Sequence, residues 1–196
     1  MGLCANQKIS GWGRFPVEEC RVYRPEKGCE INVALETERE ASIIARGLGR
    51  SYGDAAVNGG AGVLDLSRLN RMLSFEPETG LLECEAGVSL KEILDTFVPR
   101  GYFLPVLPGT KFVTVGGAIA NDIHGKNHHK NGTFGQSVEN LRLLTASGEV
   151  LTCSPADNAE AFWATVGGIG LTGVILSAKL RLNKIETAHV LVDYVR

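Results

Sequence analysis

Three glycine-dense stretches hold the residues of this chain that could do chemistry. The first is Ala45-Arg46-Gly47-Leu48-Gly49-Arg50-Ser51-Tyr52-Gly53-Asp54. The second runs from Pro108-Gly109-Thr110 through Thr114-Val115-Gly116-Gly117-Ala118, and the third is His124-Gly125-Lys126-Asn127-His128-His129. The first two each follow an apolar segment of strand character, at 42–45 and 102–107. Glycine admits positive φ and lets backbone approach a ligand where a Cβ would intrude. Successive N–H groups in such a loop form an anion-binding concavity. Together the three stretches point to a long ligand with a diphosphate and a polar head.

Simpler readings account for each stretch less well. Three glycines and Ser51 within one loop exceed what a plain connector between strands needs. A dinucleotide-binding βαβ reading fails locally, because Gly47-Leu48-Gly49 leads into a turn-rich segment and no amphipathic helix starts there. Gly116, Gly117 and Ala118 suit close helix–strand packing and a cofactor wall alike, since both require small side chains. The histidines at 124, 128 and 129 do not match a zinc spacing, and no metal site is assigned. Phe162 and Trp163 are assigned to the core of a short helix, and Lys111, Lys130 and His129 to solvent.

The elements that must position these loops form an α+β pattern and not a regular βαβ alternation. Residues 1–24 read as an irregular lead-in, 25–40 as a helix, and 42–46 and 62–66 as strands. Segments 72–76 and 81–86 flank the turn Pro77-Glu78-Thr79-Gly80, predicting a hairpin. Ser89 with Glu92 three residues on predicts a capping box and a helix ending near Gly101. A second hairpin spans 140–153 about Ser147-Gly148, Asp157 is expected to cap a helix through Val166, and 174–182 reads as a strand. A final strand is expected from 188 to 195.

Bulk properties narrow the function. The 196 residues carry a net charge of −2, so no global basic field draws the chain to nucleic acid or anionic lipid. Five cysteines without CxxC or zinc-ligand spacing read as reduced thiols, which point to a reducing compartment. No signal peptide or transmembrane run is visible, so a cytoplasmic location is expected, with peripheral membrane contact left open.

At Gly11-Trp12-Gly13-Arg14, 45–54, 105–110, 113–120, 122–129, 162–168 and Leu171-Thr172-Gly173, the chain resembles the FAD-binding domain of the vanillyl-alcohol oxidase (p-cresol methylhydroxylase-type) flavoproteins. The resemblance covers nearly the whole chain. It implies two α+β subdomains clasping FAD, drawn at 25–107 and 108–187 after a lead-in over 1–24. Residues 188–196 would begin a truncated substrate domain, so the chain reads as a fragment that alone binds FAD incompletely and turns nothing over. Residues matching the family's first loop, Arg46 to Asp54 with Ala45 before them, would give backbone N–H bonds to the diphosphate. Gly109, Thr114, Val115, Gly116 and Gly117 would pass along the diphosphate and ribityl chain. His124, Gly125, Lys126, Asn127 and His128 would lie beside the isoalloxazine edge, and Ile175 on the adenine side.

Several family members attach flavin through a His where this chain has Arg50. Since a guanidinium lacks a comparable nucleophilic nitrogen at neutral pH, dissociable FAD is expected, with Arg50 compensating diphosphate charge. The resemblance further implies oxidation of a secondary sugar alcohol, the 2-hydroxyl of a polyprenyl-phosphoryl ribose, in arabinose-donor synthesis for the cell wall. A lipid-linked sugar substrate and a reductase partner completing an epimerisation follow from it. In the members most resembled the catalytic lysine comes later in the chain, so no catalytic residue is assigned. Another sugar or alditol oxidase, and a non-catalytic nucleotide-binding module, are the alternatives.

Overall fold

The computed structural model describes residues 4–38 and 41–193. Its first sheet has the order β1-β2-β4-β3, made of β1 (Cys4–Ser10), β2 (Val17–Tyr23), β3 (Ile43–Arg46) and β4 (Gly62–Asp65). β1 and β2 form an antiparallel pair with Cys4 opposite Tyr23, while β4 runs parallel to both β2 and β3. A parallel pair needs a crossover connection, and α1 (Cys29–Thr37) supplies one between β2 and β3. Its Ile31 and Ala34 are buried against Tyr23 and Leu64. All four residues of β4 are buried, as a strand covered on both faces must be.

The second sheet is antiparallel throughout, in the order β5-β6-β10-β8-β9. Its strands are β5 (Met72–Glu76), β6 (Leu81–Glu85), β8 (Val138–Leu144), β9 (Val150–Cys153) and β10 (Val174–Arg181). One face is covered by α2 (Leu90–Phe97), α3 (Val115–Ala120) and α5 (Ala159–Thr165), burying Leu82, Leu141, Leu180, Ile93, Ile119 and Phe162 in one core. β7 (Tyr102–Phe103) pairs with β11 (Asn183–Lys184), and α4 (His128–Asn131) is a single turn. The expected capping box is present at α2: Ser89 Oγ accepts from the Glu92 N–H at 3.2 Å, and Glu92 Oε2 accepts from the Ser89 N–H at 2.8 Å.

Some expectations need correction. The lead-in over 1–24 is not irregular but holds the β1–β2 hairpin, whose outer strand is mostly exposed and polar and so lacks a hydrophobic signature. β5 and β6, which precede the boundary drawn at 107, pair with β10 and not with the first sheet. The helix expected over 25–40 is shorter, its first four residues forming a turn that ends at Gly28; Glu40 lies outside the described residues. Asp157 does not cap α5. Its N–H instead donates to Ser154 Oγ at 2.9 Å, and Asn158, with φ of +51°, occupies the cap position. The 102–107 segment pairs only at Tyr102–Phe103, and residues 188–193 form no strand. Phe162 is core as expected, but Trp163 is half exposed.

A polar cluster ties α1 to the first sheet. Arg21 Nε and Nη2 donate to the Glu38 carboxylate at 2.6 and 2.5 Å, and the Tyr23 hydroxyl donates to Glu38 Oε1 at 2.7 Å. These bonds to Arg21 hold the nearly buried carboxyl below the usual carboxylate range. A carboxyl depressed in the folded state adds stability above its unfolded pKa and loses it as pH falls through the folded value. Glu38→Gln should therefore lower the melting temperature at pH 7 by about 5 °C. The gap between parent and variant should close as pH falls from about 5 to about 3, which thermal melts across that range would read.

Candidate functional site

The two sheets meet along a cleft of about 270 Å³ whose walls come from both. The first sheet contributes the loop after β3, from Ala45 to Tyr52, and the second contributes Thr114, Gly116, Gly117 and Ile175. The loop owes its exposure to β3 ending at Arg46, beyond which no neighbouring strand takes up its backbone. Among the described residues, the N–H groups of residues 47–56 donate to no protein acceptor. Ten successive donors left free beside a cleft are what an anionic group requires.

The loop is held from behind rather than along its own backbone. The Trp12 N–H donates to the Ser51 carbonyl at 2.8 Å, bringing the turn after β1 against it. Arg46 Nη1 and Nη2 reach the carbonyls of Ala56 and Ser10 at 2.8 and 2.7 Å. Two glycines make the fit possible. Gly49 has φ of +63°, and a Cβ there would overlap the Arg46 guanidinium. A Cβ on Gly47 would overlap Thr114 Oγ1, so the two glycine loops touch at this point. Thr114 in turn caps α3, its Oγ1 accepting from the Gly117 N–H at 3.1 Å.

Arg50 bridges three segments. Its guanidinium stacks over the Trp12 ring at 4.8 Å, and its Nε donates to the Phe112 carbonyl at 3.2 Å. The rest of the cleft is small and apolar, with Leu66, Ala86, Val113, Ala120, Ile123 and Ile169 around its walls. Free N–H groups at one part, small apolar walls elsewhere and the Arg50 guanidinium beside them fit a dinucleotide with a planar ring.

The structure brings together twelve of the sequence-derived site residues at the cleft: Ala45, Arg46, Gly47, Leu48, Gly49, Arg50, Ser51, Tyr52, Thr114, Gly116, Gly117 and Ile175. Gly53, Asp54 and Gly109 lie outside its lining on exposed backbone, and Val115 is buried in the second core. The segment from His124 to His128 forms a compact loop beside the cleft, which it reaches through Ile123. Within that loop the rings of His124 and His128 are 5.4 Å apart, and His128 Nδ1 sits 3.2 Å from the Gly125 carbonyl. Asn127 Nδ2 donates to the Pro105 carbonyl at 2.9 Å, while Lys126 is exposed. Among the described residues no group of three His, Cys, Asp or Glu could hold a metal ion.

The sequence reading missed the apolar walls and the turn over 167–173. Ile169 there has φ of +54°, a strained conformation for a β-branched residue, and its N–H donates to the Ala120 carbonyl at 2.8 Å. The run Gly167-Gly168-Ile169-Gly170 signalled a break in the chain, but nothing in it marked a wall of the cleft.

The FAD binding domain family matches residues 21–154. Decaprenylphosphoryl-beta-D-ribose oxidase of Mycolicibacterium smegmatis is 47% identical over 191 residues, covering 95% of this chain and 42% of that protein. L-gulonolactone oxidase of Bos taurus is 32% identical over 149 residues, 76% of this chain and 33% of that protein. Cytokinin dehydrogenase 4 of Arabidopsis thaliana is 29% identical over 150 residues, 74% of this chain and 29% of that protein. The chain thus spans less than half the length of each of these relatives.

Two substitutions should move stability in opposite directions. Gly47→Ala displaces the Thr114 cap and should lower the melting temperature by about 4 °C, with weaker cofactor binding. Ile169→Asn relieves the left-handed backbone and should raise it by about 3 °C. Calorimetry of both variants beside the parent checks the signs.

Proposed function

Since the chain belongs to the FAD binding domain family and FAD is its cofactor, we propose that it is the cofactor-holding part of an oxidoreductase acting on a secondary alcohol of a sugar. The substrate we infer is the ribose of a polyprenyl-phosphoryl ribose, oxidised at its 2-hydroxyl to the keto-sugar for arabinose-donor synthesis. The 47% identity to decaprenylphosphoryl-beta-D-ribose oxidase supports this choice over the lactone oxidases at about 30%. A reductase partner would complete an epimerisation. Five free cysteines suit a reducing, cytoplasmic location, where contact with a membrane surface would give access to a lipid-linked sugar. No helix of the described residues is long and apolar enough to cross a membrane.

The observation that carries the reading is the run of unpartnered N–H groups in a loop whose residues 47–52 line a cleft with small apolar walls. In this reading residues 46–54 hold the diphosphate, and Gly109 with Thr114, Val115, Gly116 and Gly117 follow the chain toward the flavin. His124, Gly125, Lys126, Asn127 and His128 border the ring edge, and Ile175 lies on the adenine side. FAD, when bound, supplies the hydride acceptor. The protein's own part is to orient the ring, exclude water with apolar walls and balance the diphosphate charge.

Where other family members carry a flavin-attaching histidine in the first loop, this chain has Arg50, whose guanidinium has no comparable nucleophilic nitrogen at neutral pH. Arg50 occupies the loop and is engaged with Trp12 and Phe112. The buried Cys84 thiol is pushed up to about 12 by desolvation, so it stays protonated at neutral pH. The protein supplied with FAD should therefore be yellow, and acid precipitation should release the flavin band into the supernatant. Colour retained in the pellet would sink the non-covalent reading, and a colourless protein with intact fold would count against the site itself.

A further inference from the structure

We propose that the Arg46 guanidinium, seated behind the loop over 47–56 with no ion-pair partner in contact, supplies the positive potential that draws the cofactor's diphosphate onto that loop. The proposal rests on the cofactor reading above and assigns Arg46 a role its side chain performs at a distance, as a positioning residue.

Charge bookkeeping around the first sheet singles this residue out. Arg46 sits opposite Asp65 in the β3–β4 pairing, the obvious partner by register. That carboxylate is already taken: Arg24 Nε and Nη2 reach Asp65 Oδ2 at 2.9 and 2.8 Å, and Asp65 Oδ1 accepts from the Ser67 N–H at 3.0 Å. Among the described residues no carboxylate lies within 4.0 Å of the Arg46 guanidinium. Arg21, Arg68, Arg71 and Arg181 are each paired, with Glu38, Glu26, Glu85 and Glu139.

What Arg46 does bind is neutral. The carbonyls of Ser10 and Ala56 satisfy its N–H groups, and the Asp65 carboxylate, bonded to Arg24, attracts it only through space. The side chain is partly buried, so solvent screens it less than it screens the exposed Arg50. Burial lowers its pKa, and the charge of Asp65, acting through space, only partly offsets this. The loop backbone lies directly against it, since a Cβ at Gly49 would overlap the guanidinium. A cation at this place strengthens the field at the free N–H groups without occupying the anion's position. Arg50, by contrast, is stacked on Trp12 and bonded to the Phe112 carbonyl.

The test is to titrate FAD, ADP and adenosine into the parent chain, R46Q and R46K, reading tryptophan fluorescence or heat, with amide exchange over 47–56 as a control. If the charge acts, R46Q weakens FAD and ADP by about 30-fold and adenosine by less than about twofold. R46K, which keeps the charge but cannot fork to both carbonyls, should retain FAD affinity within about threefold, even with faster exchange in the loop. The proposal is overturned if R46K loses as much FAD affinity as R46Q, or if adenosine weakens as much as ADP, since either outcome marks a scaffold for the loop alone. Should R46Q fail to fold, R46K decides: retention within threefold upholds the charge role and a loss of tenfold or more removes it. A folded parent chain that binds neither FAD nor ADP would overturn the cofactor reading and this proposal together.

Discussion

Every distance across the cleft is set by the apolar seam where the two sheets meet. Leu64, Leu66 and Leu69 from the first sheet and its exit pack with Leu144 and Val174 from the second, with Ile31 and Tyr23 closing the cluster. Interiors are packed like crystals of small molecules, so a seam of this kind admits little sliding. The backbone seals it at its edge, where the Gly87 N–H donates to the Leu69 carbonyl at 2.9 Å. Gly47 and Thr114 can touch only because this seam fixes the separation of the strands that carry them.

Given that spacing, the loop over 47–56 solves a problem of opposed demands. Its N–H groups must stay free, yet a free backbone is ordinarily mobile and costly to order. Here order is imposed through carbonyls and from behind, by the Arg46 fork and by the Trp12 N–H on Ser51. The donors are thereby left available while the chain that carries them is fixed, which is the condition for electrostatic preorganisation. Small side chains on the facing wall serve the same end. A Cβ on Gly116 would come within 3.0 Å of Ala86, so helix α3 packs against the floor of the cleft as closely as it can.

What was legible in the sequence was whatever has a local cause. The capping box at Ser89 and Glu92, the turns at Gly80 and Gly148 and the position of β10 all depend on residues within a few positions of one another, and all appear where expected. The glycine loops were legible for the same reason, and twelve of their residues and neighbours do line the cleft. Strand partnership was not legible, because it is settled between distant segments. The hairpin of Met72 and Leu81 carries no mark saying that it will pair with a strand a hundred residues later. β1 was missed because an exposed edge strand bears no hydrophobic alternation, and its role in holding Arg46 through the Ser10 carbonyl is invisible in composition. The wall at Ile169 was missed because its backbone conformation contradicts its residue type.

Because the cleft has one wall from each sheet, a molecule lying across it is also a removable crosslink between two halves of the fold. Binding to the folded state alone adds stability by mass action, about 2.7 kcal/mol at a ligand concentration a hundred times its dissociation constant. Occupancy and foldedness thus become a single variable: the abundance of the cofactor in its surroundings sets how long the polypeptide lasts, before any turnover is considered.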